Sequence, residues 1–149
     1  MVFQAHMEAA LEEARAAAAR GEVPVGAALV SPDGNILAQA GNRVVELADP
    51  TAHAELLAIR AGCRAIGSER LLGHALYVTL EPCPMCAAAI SQARIARLVF
   101  GAADPKSGGV LQAPRVFEHP QCHHRPEVID GIRANASAGL LQAFFQARR

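Results

Sequence analysis

The chain has 149 residues, 52% of them hydrophobic, with 14 basic and 14 acidic side chains. That length and apolar content suit one domain with a real core and argue against a second, and a formal charge of zero excludes a partner recognised by bulk charge alone. No apolar run approaches the about 20 residues needed to cross a bilayer, because Arg and Glu interrupt the alanine-rich segments, so no membrane insertion is expected.

Phe3, Met7, Ala10, Leu11, Ala14 and Ala18 recur at three- and four-residue intervals and predict an amphipathic helix over 3–20, stopped by Gly21. Nothing at the start resembles a secretory leader, so the four cysteines are expected to be reduced in a cytoplasm. Apolar segments at 23–30 and 36–40 flank Ser31-Pro32-Asp33-Gly34-Asn35, a turn-forming run, and predict a β-hairpin. Asp49-Pro50-Thr51 reads as a helix-start signature, with Asp49 a candidate cap and Pro50 in the first turn, and the helix is expected from about Ala52 to Ile66. A short strand at 75–80, a helix over 85–93, a strand at 98–100, an irregular stretch over 104–126, a strand at 127–129 and a helix over 134–148 complete the chain. Alternation of helix and strand from residue 52 onward predicts an α/β sheet with crossovers. The second half is the more basic: residues 75–149 carry eight basic and five acidic side chains, against six and nine before them.

His53-Ala54-Glu55 and Pro82-Cys83-Pro84-Met85-Cys86 match the H-x-E…P-C-x-x-C arrangement known from zinc-dependent nucleobase deaminases. Three ligands, His53, Cys83 and Cys86, leave a fourth tetrahedral position for water, whereas a structural zinc site closes all four. Residues two apart on a helix point about 200° away from each other, so His53 and Glu55 can serve one site only from a helix start. If Pro84 occupies a first turn, Cys83 and Cys86 also sit at a helix N-terminus, where the dipole favours thiolate. Glu55, not itself a ligand, is expected to be the proton shuttle beside a zinc-bound hydroxide. The backbone of Thr79-Leu80-Glu81 is a candidate for holding water or ammonia. The competing reading is a closed zinc staple with Cys63, Cys122, His123 or His124 as fourth ligand, which would have no use for Glu55. Otherwise Cys122-His123-His124 reads as packing and polar loop material, and Cys63 as a small core hydrophobe.

Val23-Pro24-Val25-Gly26, Asn42-Arg43, the two metal-site runs with Asp49-Pro50-Thr51 and 76–81 before them, 99–106, His119-Pro120 and 144–149 together resemble the bacterial tRNA-specific adenosine deaminases over nearly the whole chain. The resemblance implies one zinc-dependent deaminase domain over 1–149, with a three-layer α/β/α cytidine-deaminase-like fold around a mixed five-stranded sheet. It also implies one Zn²⁺ per chain, no organic cofactor, a homodimer, and hydrolysis of adenosine to inosine at the wobble position of a tRNA anticodon loop. By matching positions Asn42 would hydrogen-bond the purine, Asp104 and Lys106 would lie by the flipped nucleotide or its neighbours, and Arg148 and Arg149 would approach the RNA backbone. The loop after Lys106 is short, Ser107-Gly108-Gly109-Val110, and the chain stops at Arg149 without a longer basic tail. Two other functions remain open: deamination of a free base or nucleoside such as guanine or cytosine on the same scaffold, and a non-catalytic zinc-stabilised RNA-binding module.

Overall fold

A computed structural model describes residues 2–148. Its elements run α1 (Val2–Ala19), β1 (Gly26–Val30), β2 (Ile36–Gly41), α2 (Ala54–Ile66), β3 (Ala75–Leu80), α3 (Pro84–Gln92), β4 (Arg97–Ala102), β5 (Glu127–Ile129) and α4 (Ala134–Gln146), with a short 3₁₀ turn at Val116–Glu118. The strands form one mixed sheet in the order β2-β1-β3-β4-β5. The hairpin β1–β2 and the pair β1–β3 are antiparallel, whereas β3, β4 and β5 run parallel. This is the mixed five-stranded α/β/α arrangement expected.

The strand interiors are apolar on both sides because both faces are covered. One face buries Leu29, Leu76, Val78, Leu98 and Phe100 against Ala54, Ala58 and Ile59 of α2 and Ala87 and Ile90 of α3. The other buries Ala28, Val30, Tyr77 and Val99 against Met7, Ala10 and Leu11 of α1, with Ala136 and Leu140 of α4 packed alongside. The α1 stripe closes on Ala17, with Ala18 only half-buried. Gly26 sets how closely α1 lies on the sheet: a Cβ there would overlap the Ala10 carbonyl oxygen and the Ala14 nitrogen. Residues 23–25, expected in the first strand, precede it, since Val25 N–H turns back onto the Val23 carbonyl.

The crossover from β3 to β4 brings the N-terminus of α3 to the carboxyl end of the parallel strands, which is where open α/β sheets gather their sites. The start of α2 arrives at the same end.

Candidate active site

His53 is the N-cap of α2 and Glu55 lies in that helix's first turn, as the two-residue spacing requires. The start is later than the sequence signature suggests. Asp49 does not cap the helix; its Oδ1 accepts from the Thr51 backbone N–H and hydroxyl and closes a local turn. The orphan N–H of Ala54 is satisfied from twelve residues back, by Asn42 Oδ1 at 2.8 Å. With Oδ1 committed, what Asn42 offers a ligand is its Nδ2 donors. On the other side, Cys83 is the N-cap of α3, Pro84 opens the helix and Cys86 lies in the first turn, so two helix N-termini converge.

The ligand atoms of His53, Cys83 and Cys86 lie within 4.8 Å of one another. His53 Nδ1 stands 3.7 Å from the Cys83 sulfur and 3.4 Å from that of Cys86. Zn–S and Zn–N bonds of ordinary length at a tetrahedral angle separate nitrogen from sulfur by roughly 3.5 Å, and an imidazole with two thiolates is a common donor set for Zn²⁺, so these residues fit that ion. Among the described residues no fourth donor joins the group. Cys122 instead contacts Ser91 Oγ and donates to the His124 carbonyl, while His124 Nε2 meets the Ile95 carbonyl at 2.6 Å. Cys63, on α2, is half-buried against the core, and burial pushes its thiol up. The closed-staple arrangement is therefore not what this fold assembles.

Electrostatics divide the cluster. The hydrogen bond from Cys86, together with His53, holds the Cys83 thiol far below its ordinary range against the opposing effect of burial. Cys86, as donor to Cys83 and buried, is pushed far up. The imidazole of His53 is raised, first by its hydrogen bond to Cys83 and then by the nearby Glu55 charge, against burial. Glu55 is 3% exposed, and burial is the main reason its carboxyl is pushed up to about 7.

These groups open onto a cleft of about 370 Å³ lined by His53, Glu55, Cys83, Asn42, Leu80 and Asp104, among others. One wall is the loop after β2, where Val45 is 74% exposed; the other is the loop after β4, carrying Asp104 and Ser107. The expected substrate residues divide accordingly. Asn42 and Asp104 line the cleft, while Lys106 is exposed and not among the lining residues. Arg148 stacks on the Phe144 ring at 3.5 Å and reaches toward Gly21 on the cleft rim; Arg149 lies outside the described residues. Leu80 and Glu81 of the 79–81 segment line the cleft, and Glu81 has a side-chain role besides. Glu81, 2% exposed, directs its carboxylate into the second wall, where burial pushes it up but backbone N–H donors from Asp104, Leu111, Gln112 and Val110 bring it below the ordinary range. Glu22, 3% exposed, likewise accepts from Val45 and Glu46 N–H of the first wall. The only trace of either in the sequence is a lone carboxylate abutting an apolar strand.

The chain matches the family model for the cytidine and deoxycytidylate deaminase zinc-binding region over residues 2–102. It is 57% identical over 143 residues to a tRNA-specific adenosine deaminase of Agrobacterium fabrum, covering 96% of this chain and 93% of that one. A structure from work on A-to-I editing by tRNA:A34 deaminases at the wobble position of transfer RNA superposes with a TM-score of 0.90 at 57% identity, covering 92% of this chain and 99% of the other. The guanine deaminase of Nitrosomonas europaea superposes with a TM-score of 0.82 at 24% identity, over 95% of this chain and 83% of that one, and shares the fold.

Proposed function

The chain belongs to the cytidine and deoxycytidylate deaminase family, and from that premise we propose that it is a single-domain tRNA adenosine deaminase, hydrolysing the wobble adenosine of an anticodon loop to inosine and ammonia. The observation that carries the chemistry is a buried carboxylate, Glu55, beside a three-donor metal group that faces a purine-sized cleft rather than a closing fourth side chain. The substrate is supported by 57% identity to a tRNA-specific adenosine deaminase along nearly the whole chain.

In this reading His53, Cys83 and Cys86 would hold one zinc ion per chain. When bound, the ion supplies Lewis acidity that makes a water nucleophilic near neutral pH. Glu55 takes the proton released by the attacking water, passes it to N1 of the adenine ring, and hands a further proton to the departing amine. Adenosine and water thereby become inosine and ammonia. Asn42 gives its Nδ2 donors to a ring-nitrogen acceptor of the purine, and its hold on the Ala54 N–H keeps that amide fixed relative to Glu55. Asp104 and Lys106 lie by the flipped nucleotide or its neighbours, and Arg148 and Arg149 approach the phosphates. A splayed single-stranded loop suits such a cleft, because its bases are accessible and unstacking costs little. A homodimer and a cytoplasmic location belong to the same reading. Among the described residues no helix is long and apolar enough to cross a membrane.

The decisive assay offers the zinc-loaded protein an anticodon stem-loop with A at the wobble position and, separately, free adenosine, guanine and cytosine. Inosine in the stem-loop is expected; turnover of a free base alone would replace this reading with the small-substrate one. Sedimentation at micromolar concentration should give twice the chain mass, and a monomeric mass removes the dimer.

A further inference from the structure

Among the described residues, no cation pairs with the buried Glu81 carboxylate. It is met instead by five N–H donors from a single loop. Oε1 accepts from Asp104 N at 3.0 Å and from Gln112 Nε2 at 3.3 Å, and Oε2 accepts from Val110, Leu111 and Gln112 N at 3.1, 2.8 and 3.2 Å. The turn that presents these amides depends on two glycines. A Cβ at Gly108 would overlap the Glu81 carboxylate itself, and one at Gly109 would overlap the backbone of Cys83 and Pro84. Gly109 N–H also donates to the Pro82 carbonyl at 2.8 Å. The loop lacks regular secondary structure between β4 and the 3₁₀ turn, so this carboxylate and the Pro82 carbonyl join it to the ligand-bearing segment. Asp104 then orders the rest, accepting on Oδ1 from the N–H groups of Lys106 and Ser107.

We infer that Glu81 is a positioning residue: it fixes the Asp104–Gln112 loop as the second wall of the substrate cleft, in register with the cysteine-bearing turn two residues further on. With both oxygens engaged by the loop, Glu81 is not a substrate group; its effect reaches the substrate through Asp104 and Ser107, which line the cleft. A carboxylate suits this task better than an amide, since every partner is a donor and ionised acceptors make the stronger bonds. The same sequence segment thus does two jobs, with Cys83 and Cys86 turned toward the metal and Glu81 toward the wall. The inference deepens the tRNA deaminase reading and rests on it for substrate; the loop's dependence on Glu81 does not.

The test is Glu81→Gln, which keeps the shape but turns an NH₂ group against N–H donors. Two readouts separate the levels. Trypsin cleavage after the exposed Lys106, followed on zinc-loaded protein without substrate, should accelerate about tenfold or more as the loop opens more often, with one zinc per chain retained. With the stem-loop, KM should rise about tenfold while kcat at saturation stays within about threefold, the pattern of lost positioning contacts that act on binding. Unchanged Lys106 cleavage together with unchanged KM overturns the inference, as does a fall in kcat at constant KM. Accelerated cleavage in the variant, with the zinc-loaded parent itself inactive on any stem-loop, would uphold the wall and sink the tRNA reading. Should Glu81→Gln fail to fold, Gln112→Glu replaces the Nε2 donor with a second carboxylate facing Oε1 and should give the same two changes at smaller size; a Gln112→Glu protein identical to the parent in both readouts refutes the assignment.

Discussion

The sheet face covered by α2 and α3 and the face covered by α1 and α4 are both sealed by buried apolar side chains, yet they present opposite helix ends to the cleft. From the first come two helix starts, with His53, Glu55, Cys83 and Cys86 on or beside their first turns. From the second come two helix ends, with Gly21 just beyond α1 and Arg148 just beyond α4, reaching toward each other at the rim. Helix starts carry partial positive charge and favour thiolates and a carboxylate; helix ends favour cations such as arginine. One face is thus suited to metal chemistry and the other to a basic rim. The difference teaches that the two layers, equal in holding the fold, are unequal in function: damage to the first should show in catalysis, and damage to the second in stability or RNA affinity.

The largest expected effect breaks the comparison if it fails. Glu55→Ala should lower the deamination rate by about 10²- to 10⁴-fold, the usual worth of a general acid–base group, with zinc content unchanged by metal analysis. Activity near the parent's would strip the α2 start of its special role. Next comes a matched pair of core truncations. Leu11→Ala on α1 and Ile90→Ala on α3 each remove a fully buried side chain and should each cost about 2–5 kcal/mol of unfolding free energy, read by urea denaturation. Only Ile90→Ala should also weaken zinc retention in a chelator competition, because α3 carries both cysteines. Equal zinc loss in the two variants would erase the distinction between faces.

What the sequence makes legible follows the same division between near and far. His53, Glu55, Cys83, Pro84 and Cys86 are readable because their roles rest on spacings of two and three residues at helix starts, which is local geometry. The α1 stripe, the hairpin turn and the short parallel strands are local too. The cap of α2 is misread because the helix starts at Ala54, two residues after the expected Ala52, and the acceptor for its first N–H is Asn42, twelve residues away, rather than Asp49. Glu81 is missed as a side chain for a stronger version of the same reason: its five donors lie 23 to 31 residues further along the chain. Gly108-Gly109 looks like mere irregularity until the carboxylate beneath it is seen. Metal ligands announce themselves by residue type; a wall held by backbone N–H groups leaves no comparable mark.

A smaller effect sharpens the basic-rim half of the comparison. Arg148→Ala should raise KM for the stem-loop several-fold and flatten the dependence of log affinity on log salt by about 0.7, the slope of one phosphate contact on a single strand. Fluorescence anisotropy across a salt titration measures it. A weaker but parallel salt line would make Arg148 a packing residue, through its stack on Phe144, with no phosphate of its own.

The smallest effect lies wholly on the α1–α4 face. Glu8 of α1 accepts from Arg15 at 2.9 Å on the same helix and from Arg133 at 2.8 Å at the start of α4. The hydrogen bonds from Arg15 and then Arg133 hold its carboxyl below the usual range. With the Glu8 side chain 38% exposed, solvent screening limits the pairs to several tenths of a kcal/mol. A depressed carboxyl contributes its stability above the unfolded-state pKa, about 4.3 for glutamate, and loses it as pH falls through the lower folded-state value. Glu8→Gln should therefore lower Tm by a degree or two at pH 7 and low salt, and the gap should close both toward pH 3 and at 1 M salt, where charges are screened within about 3 Å. Thermal melts at those three conditions check the sign; a gap that persists at pH 3 would mean that Glu8 joins the two helices by packing rather than charge. Deamination of the stem-loop, governed from the other face, should be the same in both proteins at pH 7.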